Sequence, residues 1–128
     1  MDMDDKPCLF CTIPSGRVIS QNDLMYAIRD GFPVTSLHTL IIPKRHVADY
    51  FGLSEAEVLA CNAMIKQLRE EIKVLDTEVI AFNIGMNAGA AAGQTVFHCH
   101  VHLIPRRQGD VENPRGGVRH IIPGKGFY

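Results

Sequence analysis

The chain has 128 residues, of which 46% are hydrophobic, and its formal net charge is −1 at pH 7. This size predicts one domain, residues 1–128, with a single core, and the balanced charge argues against a non-specific nucleic-acid binder. Since no stretch approaches the ~18 apolar residues of a membrane span, and the acidic N-terminus has no signal-peptide core, we expect a cytoplasmic protein with no membrane partner.

The first motif follows residues 1–7, which are expected to be a loose tail, and reads Cys8-Leu-Phe-Cys11. In a reducing compartment, two cysteines at this spacing indicate half of a metal site or a redox pair before they indicate a disulfide. Zinc in a structural site takes four nitrogen or sulfur ligands, so two histidines would have to complete it. A reducible pair or two buried thiols is the alternative.

The next elements predict an α+β domain. Short strands are expected at residues 17–20, 24–29, 38–43 and 78–84, the third of them buried on both faces. A helix is expected over residues 54–75, because Ser54 and Glu57 form a capping box. An apolar stripe follows at helical spacing: Val58, Cys61, Ile65, Leu68, Ile72 and Leu75. Since the connections are short, these elements predict an antiparallel sheet of about five strands with one long helix.

Residues 94–107 carry the most unusual pattern. His98, His100 and His102 alternate with the apolar residues Phe97, Cys99, Val101 and Leu103. Strict alternation is the period of a half-buried strand, so the apolar set should face the core and the three imidazoles should share the other face. This arrangement indicates either a nucleophilic site or a metal centre with three imidazole ligands. A glycine-rich loop over residues 85–93 precedes the strand, and an irregular, arginine-containing tail over 108–128 follows it.

Four separated blocks, in order, resemble the histidine triad (HIT) family. They are the Cys8–Cys11 motif, a block with Asp30 and residues 38–46, Asn87 seven residues before Gln94, and residues 98–104, which read His-Cys-His-Val-His-Leu-Ile. The tail is similar to that of a bacterial subgroup labelled diadenosine-tetraphosphate-type hydrolases. The resemblance implies a five-stranded antiparallel sheet with a long helix, usually in a homodimer. It also implies hydrolase or transferase activity on the α-phosphate of nucleotidyl compounds.

The same resemblance implies a role for each matching residue. His100 would be the nucleophile, with its second nitrogen bonded to a carbonyl of its own strand, for which the candidate is that of His98. His102 would stabilise charge on the phosphate. Further substrate contacts would come from Gln94, Thr95, the Gly93 amide and Asn87, with Asp30 on the ribose hydroxyls. Asn87 and Asp30 also fit ordinary turn positions.

Relatives with the cysteine pair imply a structural Zn²⁺ held by Cys8, Cys11, His98 and one histidine of residues 38–46. His46 is favoured over His38, because His38 also occurs in relatives without the cysteines. Ligation of His98 would stiffen the segment that carries His100.

The leading hypothesis is therefore a nucleotide hydrolase with a covalent nucleotidyl–His100 intermediate and a diadenosine-polyphosphate-like substrate. This scheme needs no organic cofactor and no catalytic metal, although polyphosphate substrates often travel as Mg²⁺ complexes. Alternatives are a purine nucleoside phosphoramidase, a dinucleoside polyphosphate phosphorylase or nucleotidyltransferase, and a nucleotide-binding regulatory module with little turnover.

Overall fold

The computed structural model describes residues 8–128, so the tail expected at residues 1–7 lies outside it. The described chain forms β1 (Val18–Gln21), β2 (Met25–Arg29), β3 (Thr39–Pro43), α1 (Glu55–Leu75), β4 (Val79–Gly85) and β5 (Val101–Arg107). The strands form one sheet in the order β1-β2-β3-β5-β4, with every neighbouring pair antiparallel. The predicted fold class is confirmed.

Helix α1 begins as its capping box predicts. The Ser54 hydroxyl accepts from the Glu57 amide at 3.1 Å, and a Glu57 carboxylate oxygen accepts from the Ser54 amide at 2.8 Å. The side chains buried along the helix are Glu57, Cys61, Met64, Leu68 and Ile72. The expected place of Leu75 on the buried stripe is wrong, because the side chain of this last helical residue is 64% exposed.

The sheet buries both of its faces around β3, as expected, and all five β3 residues are buried. On one face, Ile41 of β3 packs with Val101 and Leu103 of β5 and with the α1 stripe. On the other face, Leu40 and Ile42 pack with Tyr26, Ile28 and Phe10 of the N-terminal segment. This second face also carries the histidine-rich segment.

The histidine-rich segment is only partly a strand. Pairing starts at Val101, and the amide of Cys99 donates to the carbonyl of Val47 at 2.7 Å, outside the sheet. Cys99, Val101 and Leu103 are buried as expected, but the expected burial of Phe97 is wrong, since half of its surface is exposed. The chain departs from strand geometry before β5, so the alternation does not extend back to Phe97.

The C-terminal tail folds back on itself. A short 3₁₀ turn spans Gly117–Ile121. Gly116 has a φ of +91°, and a Cβ at this position would lie 1.7 Å from the Gly126 carbonyl oxygen, so the close approach of the two segments needs glycine. The guanidinium groups of Arg115 and Arg119 lie 4.9 and 4.7 Å from the centre of the Tyr128 ring. Within residues 8–128, the structure contains no helix long and apolar enough to span a membrane.

Candidate active site and metal site

The N-terminal cysteine pair lies against two histidines. One nitrogen or sulfur atom from each of Cys8, Cys11, His46 and His98 lies within 4.8 Å of the other three. The Cys8 Sγ is 3.2 Å from Nδ1 of His98, and the Cys11 Sγ is 3.5 Å from the same nitrogen and 3.3 Å from Nδ1 of His46. The fold therefore brings together four residues from three segments of the chain.

This cluster has the chemistry and spacing of a structural zinc site. Tetrahedral zinc with bonds of about 2.3 Å to sulfur and about 2.0–2.1 Å to nitrogen separates neighbouring sulfur and nitrogen ligands by roughly 3.6 Å, close to the observed values. Nε2 of His98 donates to the Pro43 carbonyl at 2.7 Å, which leaves the Nδ1 lone pair facing the thiols. Of the two candidate histidines, the structure places His46 in the cluster and His38 elsewhere.

His100 follows His98 and presents a defined tautomer. Its Nδ1 lies 2.9 Å from the carbonyl oxygen of His98 and donates to it, as the resemblance implied. The neutral ring then has its lone pair on Nε2. A lone pair directed away from the backbone is what an imidazole nucleophile requires, because the attacking nitrogen must be unprotonated.

His102 receives its orientation from a residue outside its own segment. Nε2 of His38 lies 2.9 Å from Nδ1 of His102, and the amide of Val34 donates to Nδ1 of His38 at 3.0 Å. Since Nδ1 of the neutral His38 accepts, its proton is on Nε2 and is donated to His102. A neutral His102 therefore carries its own proton on Nε2, the nitrogen that remains for a ligand.

The lowered pKa values of His38 and His102 agree with this chain of hydrogen bonds, which requires both rings to be neutral. Burial, reinforced by His100 and His38, lowers the pKa of His102 to about 4. Burial also lowers the pKa of His38, although the neighbouring Asp30 opposes the shift. Both rings are consequently neutral at pH 7. His102 can therefore stabilise an anion as a neutral N–H donor and not as a protonated ring.

Asp30 makes a turn contact and also lies close to His38. One carboxylate oxygen accepts from the Phe32 amide at 2.8 Å, which is an ordinary turn contact, and the other lies 3.5 Å from Nε2 of His38. Asp30, His38 and His102 are also within the distances of a metal-ligand group. The hydrogen bonds from Val34 and between the two rings account for this geometry without a metal. Contact of Asp30 with a ribose stays a prediction.

The predicted phosphate contacts before β5 divide into two pairs. Gln94 is buried, and its amide nitrogen lies 2.6 Å from the Ala48 carbonyl oxygen and 3.1 Å from that of Val96. The Gly93 amide donates to the Ala90 carbonyl at 3.0 Å, within a 3₁₀ turn. Both predicted donors therefore hold the glycine-rich loop in shape. Asn87 and Thr95 have exposed side chains, and their contacts with substrate stay predictions.

A cavity of about 780 Å³ opens beside His102 and Asn87. Its far wall is formed by the C-terminal tail, with Val118, Ile121 and Ile122. Arg106 also faces the cavity, but its guanidinium donates to Asp110 through two bonds of 2.8 Å. Arg115 and Arg119 of the tail lie against Tyr128 and do not line this cavity.

The reading of residues 98–102 as a metal centre with three imidazole ligands does not fit the observed geometry. The His98 ring is directed to the thiols and Pro43, the His100 ring donates to the backbone, and Nδ1 of His102 faces His38. In the described part of the chain, the groups with metal-ligand spacing do not include the three histidines together. The sequence did not predict the contact of His38 with His102. The signal that could have indicated it was the position of His38, a polar residue directly before the fully buried strand β3.

Comparisons with known proteins agree with this arrangement. The profile of the HIT domain matches residues 13–109. A zinc-bound histidine triad family protein from Mycobacterium smegmatis has a similar crystal structure, with a TM-score of 0.73 and 36% identity over 80% of this chain and 77% of its own. The crystal structure of the diadenosine triphosphate hydrolase of Plasmodium falciparum gives a TM-score of 0.72 and 26% identity, covering 79% and 68%. The adenylylsulfatase HINT3 of Arabidopsis thaliana is 36% identical over 107 residues, which cover 80% of this chain and 54% of that protein.

Proposed function

This chain belongs to the HIT domain family, and from that membership we propose that it is a nucleotide hydrolase with a covalent nucleotidyl–His100 intermediate. The observation that carries the proposal is the hydrogen bond of 2.9 Å from His100 Nδ1 to the His98 carbonyl. It leaves Nε2 as the attacking atom. The names of two relatives, a diadenosine triphosphate hydrolase and an adenylylsulfatase, support cleavage next to an adenylyl group.

The proposed reaction has two steps. His100 Nε2 attacks the α-phosphorus, a phosphorus–nitrogen bond forms, and the bond to the leaving group breaks. The positive charge on the imidazole is stabilised by the His98 carbonyl, which accepts from Nδ1. The Nε2–H group of His102 donates to the phosphate oxygens as negative charge develops. Water then attacks phosphorus, the phosphorus–nitrogen bond breaks, nucleoside monophosphate leaves, and the water proton passes to solvent.

Trapping the intermediate tests this proposal. Rapid mixing with diadenosine tetraphosphate followed by acid-free quenching should give a protein heavier by one adenylyl group, with the modification on His100. His100→Asn should bind the same substrate and show neither the modification nor turnover. If His100→Asn hydrolyses substrate at the wild-type rate, the proposed nucleophile is wrong. If the wild-type protein binds nucleotide without any turnover, the regulatory-module alternative is favoured.

The leaving group is a separate question, because the same nucleophile accepts several. We propose diadenosine polyphosphates as the first substrates, with adenosine phosphoramidate and adenylyl sulfate as competitors in one panel. The panel is run with and without inorganic phosphate. Formation of ADP only when phosphate is added, from a substrate that cannot itself release ADP, would identify a phosphorylase. Preference for the phosphoramidate would identify a phosphoramidase.

We also propose that Cys8, Cys11, His46 and His98 hold a structural zinc ion. When bound, zinc would tie the N-terminal segment to the histidine-rich segment. Metal analysis of purified protein should find one zinc per chain, lost in the Cys8→Ser/Cys11→Ser variant. Cys61→Ala is the matched control, because Cys61 is buried in the core. Retention of a full equivalent of activity-linked metal in the double variant would favour the metalloenzyme alternative.

A homodimer is the proposed assembly. Strand β4 lies at the edge of the sheet and carries the exposed residues Ile80 and Ile84. Val74 and Leu75, at the adjoining end of α1, are also exposed. An apolar edge strand next to an apolar helix end is a surface on which sheets commonly pair. Light scattering should give twice the chain mass, and Ile80→Lys should shift it to the monomer mass.

A further inference from the structure

Phe10 stands between the two cysteines of the metal site, on the 3₁₀ turn Leu9–Cys11. Its side chain is 7% exposed, whereas the preceding Leu9 is 56% exposed. The Phe10 carbonyl accepts from the buried hydroxyl of Tyr26, which fixes the turn on the sheet. The turn therefore directs one of its two apolar side chains into the molecule.

The inward ring of Phe10 meets the candidate nucleophile. The ring centres of Phe10 and His100 are 5.0 Å apart and the planes are inclined by 64°, which is an edge contact. The ring centre of His98 lies 6.1 Å from that of Phe10. Edge contacts between rings have a preferred angle, so this contact restricts the orientation of the imidazole ring.

His100 needs such a contact, because its hydrogen bond does not by itself fix the ring. The bond from Nδ1 to the His98 carbonyl selects the tautomer but leaves the imidazole free to tilt about that bond. The tilt decides where Nε2 points. Among the described aromatic side chains, Phe10 and His102 contact the His100 ring, and His102 lies 5.3 Å away, centre to centre. Phe10 is the contact that is not itself part of the proposed chemistry.

We propose that Phe10 is a positioning residue for His100 and that the metal-binding turn holds it in place. This inference rests on the proposed function of His100 as nucleophile. Cys8 and Cys11 flank Phe10, and both sulfur atoms face His98, so closing the metal site holds Phe10 against the nucleophile. The metal site then acts on catalysis through a packing contact, in addition to its direct effect on the His98 segment.

The test compares Phe10→Leu with Leu9→Ala. Leucine keeps most of the apolar volume but cannot make the edge contact. Because a misplacement of about 1 Å can reduce a rate about 100-fold, we expect Phe10→Leu to lower kcat roughly tenfold or more. The KM should remain within about twofold of the wild-type value, because a tilted nucleophile weakens the transition state more than substrate binding. Leu9→Ala should keep both constants. A drop in melting temperature with unchanged kcat in Phe10→Leu would mean that Phe10 only fills the core, and would overturn the inference.

Nitrogen NMR of the His100 ring separates this inference from the proposed function. Phe10→Leu should shift the His100 ring signals and Leu9→Ala should not, whether or not any tested substrate is turned over. Absence of a shift in Phe10→Leu would overturn the inference even if turnover were normal in the wild type.

The link to the metal site is tested by introducing Cys11→Ser into the wild type and into Phe10→Leu. We expect a smaller loss of kcat in the Phe10→Leu background than in the wild type, whereas equal losses would show that the metal acts only through His98.

Discussion

His38 and His102 are joined by a hydrogen bond of 2.9 Å between Nε2 of the first ring and Nδ1 of the second. The two residues are 64 positions apart: His38 lies immediately before β3, and His102 lies on β5. The Val34 amide fixes the His38 tautomer by donating to its Nδ1. His38 thereby determines which nitrogen of a neutral His102 carries the proton.

Replacement of His38 should consequently impair catalysis without removing any group that touches substrate. In His38→Leu, His102 loses its fixed tautomer, and we expect kcat to fall about 100-fold, in the usual range for a misoriented acid–base group. His38→Gln should retain more activity, because its amide can donate to Nδ1 of His102. Steady-state kinetics and nitrogen NMR of His102 measure the two effects. Equal activity of the leucine and glutamine variants would contradict this role.

The two neutral histidines also predict a pH dependence of stability. In the unfolded chain, His102 has a pKa of about 6.5, and in the folded protein the value is about 4. Between these values the unfolded state binds more protons, so the free energy of unfolding should fall as the pH is lowered from about 6.5 to about 4. The lowered pKa values of His38 and His98 act in the same direction.

Urea unfolding at a series of pH values measures this effect. His102→Asn should reduce the slope between pH 6.5 and 4, because its amide does not titrate. Glu57, whose pKa is lowered from 4.5 to about 2, loses its contribution to stability between these two pH values, which lie mostly below the histidine range. Identical slopes for the wild type and His102→Asn would show that His102 is not held neutral in the folded protein.

The elements that depend on local sequence were predicted well. The start of α1 depends on Ser54 and Glu57, three residues apart, so its capping box was readable from the sequence. The strands were found within one or two residues, except at residues 94–100. There, the amide of Cys99 bonds to Val47 and His98 turns to the cysteines, and alternation alone does not contain these long-range contacts.

The hydrogen bonds of the site were predicted where they join residues close in sequence or within the motifs shared with the family. They were missed where the partner lies far away in the sequence. The bond from His100 to the His98 carbonyl joins residues two apart, and the family resemblance implied it. The buried amide of Gln94 was expected to face phosphate, but it donates to Ala48, 46 residues away. Tertiary packing determines which acceptor a buried amide contacts, and the local sequence does not contain this information. The pairing of His38 with His102 has the same origin.

Glu57 is predicted to be a stability determinant of the helix start. Glu57 is 3% exposed, and its carboxylate accepts from the Ser54 amide and pairs with Arg45 through bonds of 2.6 and 3.1 Å. Glu57→Ala should lower the free energy of unfolding by about 1–2 kcal/mol, because it removes the capping box and the acceptor of the two hydrogen bonds from Arg45. Glu55→Ala is the control, since Glu55 is exposed in the first turn and should cost a few tenths of a kcal/mol. Chemical denaturation compares them, and equal losses would contradict the assignment.

The C-terminal tail is predicted to contribute to the binding of long substrates. Removing residues 108–128 would also remove Asp110, the partner of Arg106, so a chain that ends at Asp110 is the cleaner variant. This truncation deletes the cavity wall of Val118, Ile121 and Ile122. We expect the KM for diadenosine tetraphosphate to rise about fivefold, equivalent to roughly 1 kcal/mol of lost contact, and the KM for adenosine phosphoramidate to change less. The reason is that a longer leaving group, bound beside His102, would have more contact with the tail residues that line the cavity.

A second variant distinguishes the apolar wall from the tail charges. Arg115→Ala/Arg119→Ala keeps the wall and removes two positive charges that lie against Tyr128. If the arginines contact the polyphosphate, this variant should reproduce the truncation, and the effect on KM should decrease at high salt, which screens exposed charges. If the wall is responsible, the variant should bind like the wild type. Equal KM values for the truncated and full-length proteins with both substrates would show that the tail is only a surface segment.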